Sequence, residues 1–144
     1  MNTFQTLNDF KDLINKVYLI EDLCAATRKQ KYVFARHTYC ALVRNLTKLS
    51  SSRIGESINR DHATVLHSCK VHSQLMQTDK QYRERYRYCE YILAALHGLE
   101  IADPCDYIRQ NMYECTNNQQ DHIATMMKEF VLNNKEQKEK KEHV

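Results

Sequence analysis

The sequence predicts an all-α protein that contains a helix-turn-helix. Turn-forming residues are scarce, because the 144-residue chain has two glycines and one proline, and this favours helices over hairpins. Apolar residues recur three and four positions apart in several segments, which is the period of an amphipathic helix. A long helix, a short one and a further one also follow each other with few residues between them, as in a helix-turn-helix.

The first two predicted helices are defined by their apolar stripes. The first covers residues 4–26 with a break near Leu19 to Glu21, and the second covers Tyr32 to Leu49. The stripe of the first helix is Leu7, Phe10, Leu13, Ile14, Val17 and Tyr18. The stripe of the second helix is Tyr39, Leu42, Val43, Leu46 and Leu49.

A short helix is predicted from Ser52 to Ile58, after the serines at positions 50 to 52. A serine hydroxyl accepts hydrogen bonds from the free amides of a first helical turn, so one of these serines should be the N-cap. Ile54 and Ile58 should pack inward, and Gly55 should allow close approach of another helix.

The third helix is predicted to begin after a tight connection at Asn59 and Arg60, with Asp61 as its N-cap, and to run to about Met76. Its inward face is predicted to be Val65, Leu66, Cys69 and Met76. Its opposite face carries no acid and suits a groove of DNA; it consists of Ala63, His67, Lys70 and Gln74.

Three more helical segments are predicted towards the C-terminus. The first lies beyond Lys80 and runs to about His97, with helically spaced residues at Tyr82, Tyr86, Cys89 and Leu93. Its tyrosines could stack on single-stranded bases, but their helical spacing favours packing within the protein. The second begins at Asp103 and Pro104 and ends near Cys115. The apolar positions of the last are Ile123, Met126, Met127, Phe130 and Val131.

Basic residues concentrate between Thr27 and Arg60. This segment has eight Lys/Arg and one acid and so carries +7, while the rest of the chain, whose total is +3, carries −4. Such a lobe is typical of a protein that binds a polyanion. A solvated basic face without a partner is the alternative.

Other chemistries receive little support. The six cysteines include no CxxC pair, which indicates reduced thiols in a cytoplasm, and Cys40 and Cys69 lie on apolar stripes as core residues. His62, His67 and His72 are five residues apart and spread around a helix, so neither a metal site nor a cofactor is predicted. No apolar run approaches a membrane span, and no GxxxxGK[ST] motif is present. We therefore expect neither membrane insertion, nor nucleotide binding, nor enzymatic activity.

The stretch "RDHATVLHSC" at residues 60–69 resembles the signature "RDHTTVLHAC" of the C-terminal DNA-binding domain of the bacterial replication initiator DnaA. That domain is an all-α helix-turn-helix domain similar to the Trp repressor. The resemblance runs from Glu21 to about Met76 and more loosely to Leu93. The resemblance, the helical periodicity and the charge pattern of the C-terminus together predict four parts, namely an N-terminal helix (1–20), a DnaA-like domain (21–93), a C-terminal helical extension (94–133) and a charged flexible tail (134–144).

The resemblance also implies roles for individual residues. In that family the third helix enters the major groove, so base edges would face Asp61, His62, Ala63 and Thr64. Arg28 would be the arginine that enters the minor groove. Arg60, the first residue of the signature, would also bind DNA. Positions that would contact or lie near phosphates are Arg36, His37, Arg44, Ser51, Ser52, His67 and Lys70.

Three positions depart from the family pattern. The two-glycine turn before the signature is a single Asn59, so the third helix could enter the groove at another angle. Ala63 replaces a threonine and lacks its hydroxyl, and the cap "S-x-P-E" has become Ser50 to Arg53. These changes affect the preferred site more than DNA binding itself.

The predicted function is sequence-specific binding of double-stranded DNA at DnaA-box-like sites, to regulate replication initiation or transcription. The expected location is a bacterial cytoplasm or nucleoid, or the cytoplasm of a phage-infected host if a phage or mobile element encodes the chain. Residues 94–133 would bind a protein partner, self-associate or pack internally. The alternative function is a helical interaction adaptor that kept the scaffold but not DNA binding.

Overall fold

A computed structural model of the chain describes residues 3–96 together with Thr125, Lys128, Glu129 and Leu132. Within these residues the fold is all-α, as predicted, and consists of five helices. They are α1 (Thr3–Tyr18), α2 (Gln30–Leu46), α3 (Ser51–Ser57), α4 (His62–Thr78) and α5 (Lys80–Leu96). The predicted helix after Pro104, the apolar stripe between Ile123 and Val131 and the tail lie outside the described residues.

The helix predicted over residues 4–26 breaks near Leu19 as expected, because α1 ends at Tyr18. Residues 22–26, however, are not helical, so this part of the prediction was wrong. Leu19 has a positive φ of 54°, and its amide donates to the carbonyl of Lys16 at 3.3 Å while the amide of Ile20 donates to that of Asn15 at 3.0 Å. These two bonds satisfy the last carbonyls of α1 as in a Schellman motif. The chain then turns into the segment that precedes α2.

The core of residues 3–89 is built around α2, which packs against α1, α3 and α4. The apolar stripes predicted for the first two helices point into this core. The exceptions are Val17, Leu46 and Leu49, which are half-buried, and Leu49 also lies beyond the end of α2. A hydroxyl pair at 2.6 Å, between Tyr39 of α2 and Ser57 of α3, attaches the short helix to the long one.

The helix-turn-helix is formed by α3, the turn at residues 58–60 and α4. Ser50 caps α3 by accepting from the amide of Arg53 at 3.3 Å, so this helix begins one residue earlier than predicted. Asn59 takes the left-handed conformation with φ 57°, which asparagine tolerates better than most residues. The carbonyl of Gly55 accepts from the amides of Ile58 at 3.1 Å and Arg60 at 2.8 Å. The backbone of Arg60 and Asp61 leaves no room for a Cβ atom at Gly55, which confirms the predicted close approach.

The inward face of α4 differs from the prediction. Val65 is fully buried as expected, but Leu66 is 46% exposed and Ser68 is 4% exposed. Consecutive helical residues are rotated by about 100°, so a face that contains Val65 and Ser68 turns Leu66 aside. Ser68 is tolerated in the interior because its hydroxyl bonds to the thiol of Cys40 on α2.

The start of α5 is joined to α2 and α4 through two tyrosines. The hydroxyl of Tyr82 lies 2.7 Å from Nδ1 of His72, and that of Tyr86 accepts from the side-chain amide of Asn45 at 2.9 Å. The chain divides between Cys89 and Glu90 into two units. The predicted domain borders after residues 20, 93 and 133 stay predictions.

Candidate nucleic-acid interface

The four residues predicted to face bases lie together at the start of α4. Asp61, His62, Ala63 and Thr64 are all exposed, and Asp61 is the N-cap whose Oδ1 accepts from the amide of Thr64 at 2.8 Å. Hydrogen bonds from Thr64 to this carboxylate lower the pKa of Asp61. The carboxylate is therefore charged at neutral pH and held in one place by the helix that it caps.

The face of α4 predicted to lie opposite the core is indeed exposed. It consists of Ala63, His67, Lys70 and Gln74. The side chains are small or polar, and none is acidic. This surface continues from the four residues at the helix start along α4. The structure thus brings six exposed side chains without negative charge, and the cap Asp61, onto one side of one helix.

The residues predicted near phosphates flank this surface in part. Arg44, in the last turn of α2, and Lys70 are exposed, and both line a groove between α2 and α4 with a volume of about 440 Å³. Ser52 at the start of α3 is exposed and Ser51 half-buried. Leu66 also lines this groove, a position that the sequence pattern does not reveal because its apolar spacing predicts a core residue.

Arg36 and Arg60 are half-buried and direct their guanidinium groups to backbone carbonyls of the protein itself. Arg36 donates to three backbone carbonyls in the segment before α2. Arg60 donates to the carbonyls of Ile58, Asn59 and Ala25. Burial, followed by the charge of Arg60, lowers the pKa of Arg36. The structure thus separates these two arginines from Arg28, which is exposed.

His37 lies in the interior, not on the surface that carries Arg44 and Lys70. It is 8% exposed, and Nδ1 has no hydrogen-bond partner. Burial lowers the pKa of His37 to about 4, with smaller contributions from His67, Arg36 and His72. The imidazole is therefore neutral at physiological pH and packs as a core side chain.

The cysteines and histidines in the described part of the chain show no arrangement for metal binding or nucleophilic chemistry. No three His, Cys, Asp or Glu side chains among the described residues could hold a metal ion together. Cys40 is a buried free thiol whose pKa burial raises to about 12, which agrees with its predicted place in the core. None of the described helices is long and apolar enough to cross a membrane.

Comparison with known proteins places the helix-turn-helix in context. The family described as "Bacterial dnaA protein helix-turn-helix" matches residues 18–71, from the end of α1 into α4. The chain is 35% identical over 91 residues, or 61% of its length, to a protein of Bacteroides thetaiotaomicron named "Chromosomal replication initiator protein DnaA". It is 44% identical over 66 residues, 45% of its length, to the protein of that name from Flavobacterium psychrophilum.

A protein of the same name from Rippkaea orientalis is 46% identical over 61 residues, 42% of this chain. The matches span 19%, 14% and 14% of these three relatives, so the chain covers less than a fifth of each. No solved structure matches the chain significantly. Residues 18–71 therefore resemble the C-terminal helix-turn-helix domain of the bacterial DnaA initiators, as the signature in the sequence predicted.

Proposed function

We propose that this chain binds double-stranded DNA in a sequence-specific manner at DnaA-box-like sites and thereby regulates replication initiation or transcription. The observation that carries the proposal is the exposed row Asp61 to Thr64 at the start of the second helix of a helix-turn-helix. In proteins with this motif, residues at that position contact base edges in the major groove. Such a protein acts where the DNA is, in a bacterial cytoplasm or nucleoid.

The chemistry of the row suits base recognition. A carboxylate has about four acceptor positions, so Asp61 can accept from a cytosine amino group while it caps α4 through Thr64. The imidazole of His62 is exposed and can donate or accept. The methyl group of Ala63 can contact a thymine methyl. These groups distinguish bases, and they add little general affinity.

General affinity would come from groups around the row. Arg44 and Lys70 are exposed cations on either side of the groove between α2 and α4, and phosphate contacts of this kind fix the register of a protein on DNA. Ser51, Ser52 and His67 supply hydrogen-bond donors near the same surface. Arg28, exposed before α2, would enter a narrow A·T-rich minor groove, which attracts arginine by its negative potential.

A second function is favoured by one observation. Leu66 is 46% exposed in the groove between α2 and α4, which would suit an adaptor that binds a protein there. A DNA-binding test separates the two functions, because an adaptor has no requirement for duplex DNA.

The test measures fluorescence anisotropy of a labelled duplex carrying a DnaA box and of a scrambled duplex, over a range of salt concentrations. We expect binding that weakens steeply with salt, because phosphate contacts release counterions. Arg44→Ala should weaken binding to both duplexes alike, whereas His62→Ala should mainly remove the difference between them. Absence of binding to any duplex at low salt would refute the proposed function and favour the adaptor.

A further inference from the structure

The backbone segment Leu23 to Thr27 is held by the guanidinium of Arg36, one and a half turns into α2. Nη1 of Arg36 donates to the carbonyl oxygens of Leu23 and Ala25, both at 3.1 Å. Nη2 donates to that of Thr27 at 2.7 Å. One side chain therefore fixes three alternate carbonyls of a segment that lies outside the helices, where the amide of Ala25 donates to the carbonyl of Asp22 at 3.1 Å.

The same segment is bound a second time from the turn of the helix-turn-helix. Nη2 of Arg60 donates to the carbonyl oxygen of Ala25 at 3.2 Å. Its Nη1 donates to the carbonyls of Asn59 at 3.1 Å and Ile58 at 3.2 Å, within the turn itself. The carbonyl of Ala25 thus accepts from both arginines and joins α2, the segment before it and the turn before α4.

The charges of the two guanidiniums are balanced by these carbonyl dipoles. Neither Arg36 nor Arg60 forms an ion pair with an acid in the described part of the chain, and the charge of Arg60 disfavours the charged form of Arg36. A guanidinium stays charged and presents several donors in a planar fork, so it can bridge carbonyls that diverge. A lysine ammonium is a single point on a flexible stem and would satisfy fewer of them.

Both ends of this arrangement lead directly to residues of the proposed interface. Thr27, bound by Arg36, precedes Arg28, and its Oγ1 accepts from the amide of Lys29 at 3.3 Å. Arg60 precedes Asp61, the cap of α4. Consecutive Cα atoms are about 3.8 Å apart, so fixing Thr27 and Arg60 leaves Arg28 and Asp61 little freedom relative to each other.

We propose that Arg36 and Arg60 are positioning residues that hold the Arg28 segment in register with the start of α4, so that a single DNA duplex is contacted in both grooves. Both side chains act through the Ala25 carbonyl, and neither needs to touch DNA to do so. This inference rests on the proposed function, and it assigns the two arginines a role different from the DNA contacts that the sequence implied.

The test uses two duplexes with the same major-groove pattern. One carries a DnaA box flanked by an A·T run, and in the other the adenines of that run are replaced by 2,6-diaminopurine, which adds an amino group in the minor groove only. The wild type should prefer the first duplex by about tenfold, the factor expected for one charge-assisted contact. Arg60→Lys and Arg36→Lys should abolish this preference while the slope of affinity against salt is retained, because the charge is unchanged.

Three controls make the result specific. Arg53→Lys, on the exposed side of α3, should keep the full preference. In an Arg28→Ala background, Arg60→Lys should have no further effect on the preference, because the two changes act on one contact. Amide hydrogen exchange of residues 24–28 should be faster in Arg60→Lys than in the wild type without any DNA present.

Two results would overturn the inference. One is an unchanged preference and unchanged exchange in both lysine variants. The other is an equal loss of affinity for the two duplexes, which would identify Arg60 as a phosphate contact. If the wild type bound no duplex at all, the proposed function would fail, and the exchange measurement would still report whether the arginines hold the segment.

Discussion

Gly55 is the place where a single methyl group should disturb the helix-turn-helix most. A Cβ atom at this position would lie against the carbonyl oxygen of Arg60, well inside contact distance, and 3.1 Å from both the carbonyl carbon and the oxygen of Asp61. These are backbone atoms at the entrance to α4, so no side-chain rotation can make room. Gly55→Ala must move the start of α4 away from α3.

Two opposing effects set the size of the change. Alanine in a helix interior is favoured over glycine by about 1 kcal/mol. Overpacking of a filled site costs about 1–3 kcal/mol, and the upper part of that range applies where the obstructing atoms belong to the backbone. We therefore expect Gly55→Ala to lower the free energy of unfolding by about 1–2 kcal/mol. Glu56→Ala, at the exposed neighbouring position, should change it by less than about 0.5 kcal/mol.

Urea unfolding followed by far-ultraviolet circular dichroism measures this difference, with both variants and the wild type compared at equal denaturant slope. A shift of the start of α4 should also reduce the preference of Gly55→Ala for a DnaA box over a scrambled duplex. If Gly55→Ala were as stable as the wild type or more so, helix propensity would dominate. The tight contact between α3 and the turn would then not exist in solution.

Three further predictions concern single side chains. Ala63→Thr should tighten binding to a DnaA box by about 1 kcal/mol, the value of one neutral hydrogen bond, with little gain on scrambled DNA; a loss on both duplexes would show that α4 docks in another pose. Asp61→Asn should leave the urea midpoint unchanged, since asparagine caps helices as well as aspartate; a lower midpoint would contradict this expectation. The same change should reduce the preference for a site with cytosine at the contacted position over sites with other bases there. Burial holds the pKa of His37 at about 4, below its ordinary 6.5, so protonation favours the unfolded chain and the free energy of unfolding should fall as the pH drops from about 6.5 towards 4. Thermal unfolding measured over this pH range should show a smaller fall for His37→Gln than for the wild type. An unchanged pH profile in His37→Gln would exclude His37 as the source of the fall.

The helices of the helix-turn-helix could be predicted because their ends are encoded locally. The capping side chains Ser50 and Asp61 stand in the sequence directly before α3 and α4, and both make the expected bonds. The end of α1 was located only roughly, since the left-handed residue there is Leu19 and not the glycine or asparagine that usually marks such an end. The three-and-four spacing of apolar residues correctly predicted most of the core positions of α1 and α2.

Side chains whose role depends on partners far along the chain could not be assigned in this way. Leu66 was expected inside because it is apolar, whereas packing of α4 on α2 and α3 buries Ser68 instead. Arg36 and Arg60 looked like surface cations, and nothing local indicated that they converge on the carbonyl of Ala25. One feature of the sequence did point to such bonds. The segment from Thr27 to Arg60 contains eight basic residues and a single acid, so a partly buried guanidinium there has few carboxylates nearby, and backbone carbonyl oxygens are its available acceptors.

The carboxylate that caps α4 has a consequence for how such a protein would search along DNA. The N-terminus of a helix ordinarily attracts any phosphate through its free amides and dipole, but here Asp61 already occupies the amide of Thr64 with a full negative charge. In the proposed complex this charge is repelled by the DNA phosphates at every site, and only a hydrogen bond from a cytosine amino group offsets the repulsion. If the chain binds DNA as proposed, its residence on arbitrary sequence would thereby be shortened. The protein would release wrong sites quickly while its peripheral cations keep it close to the duplex.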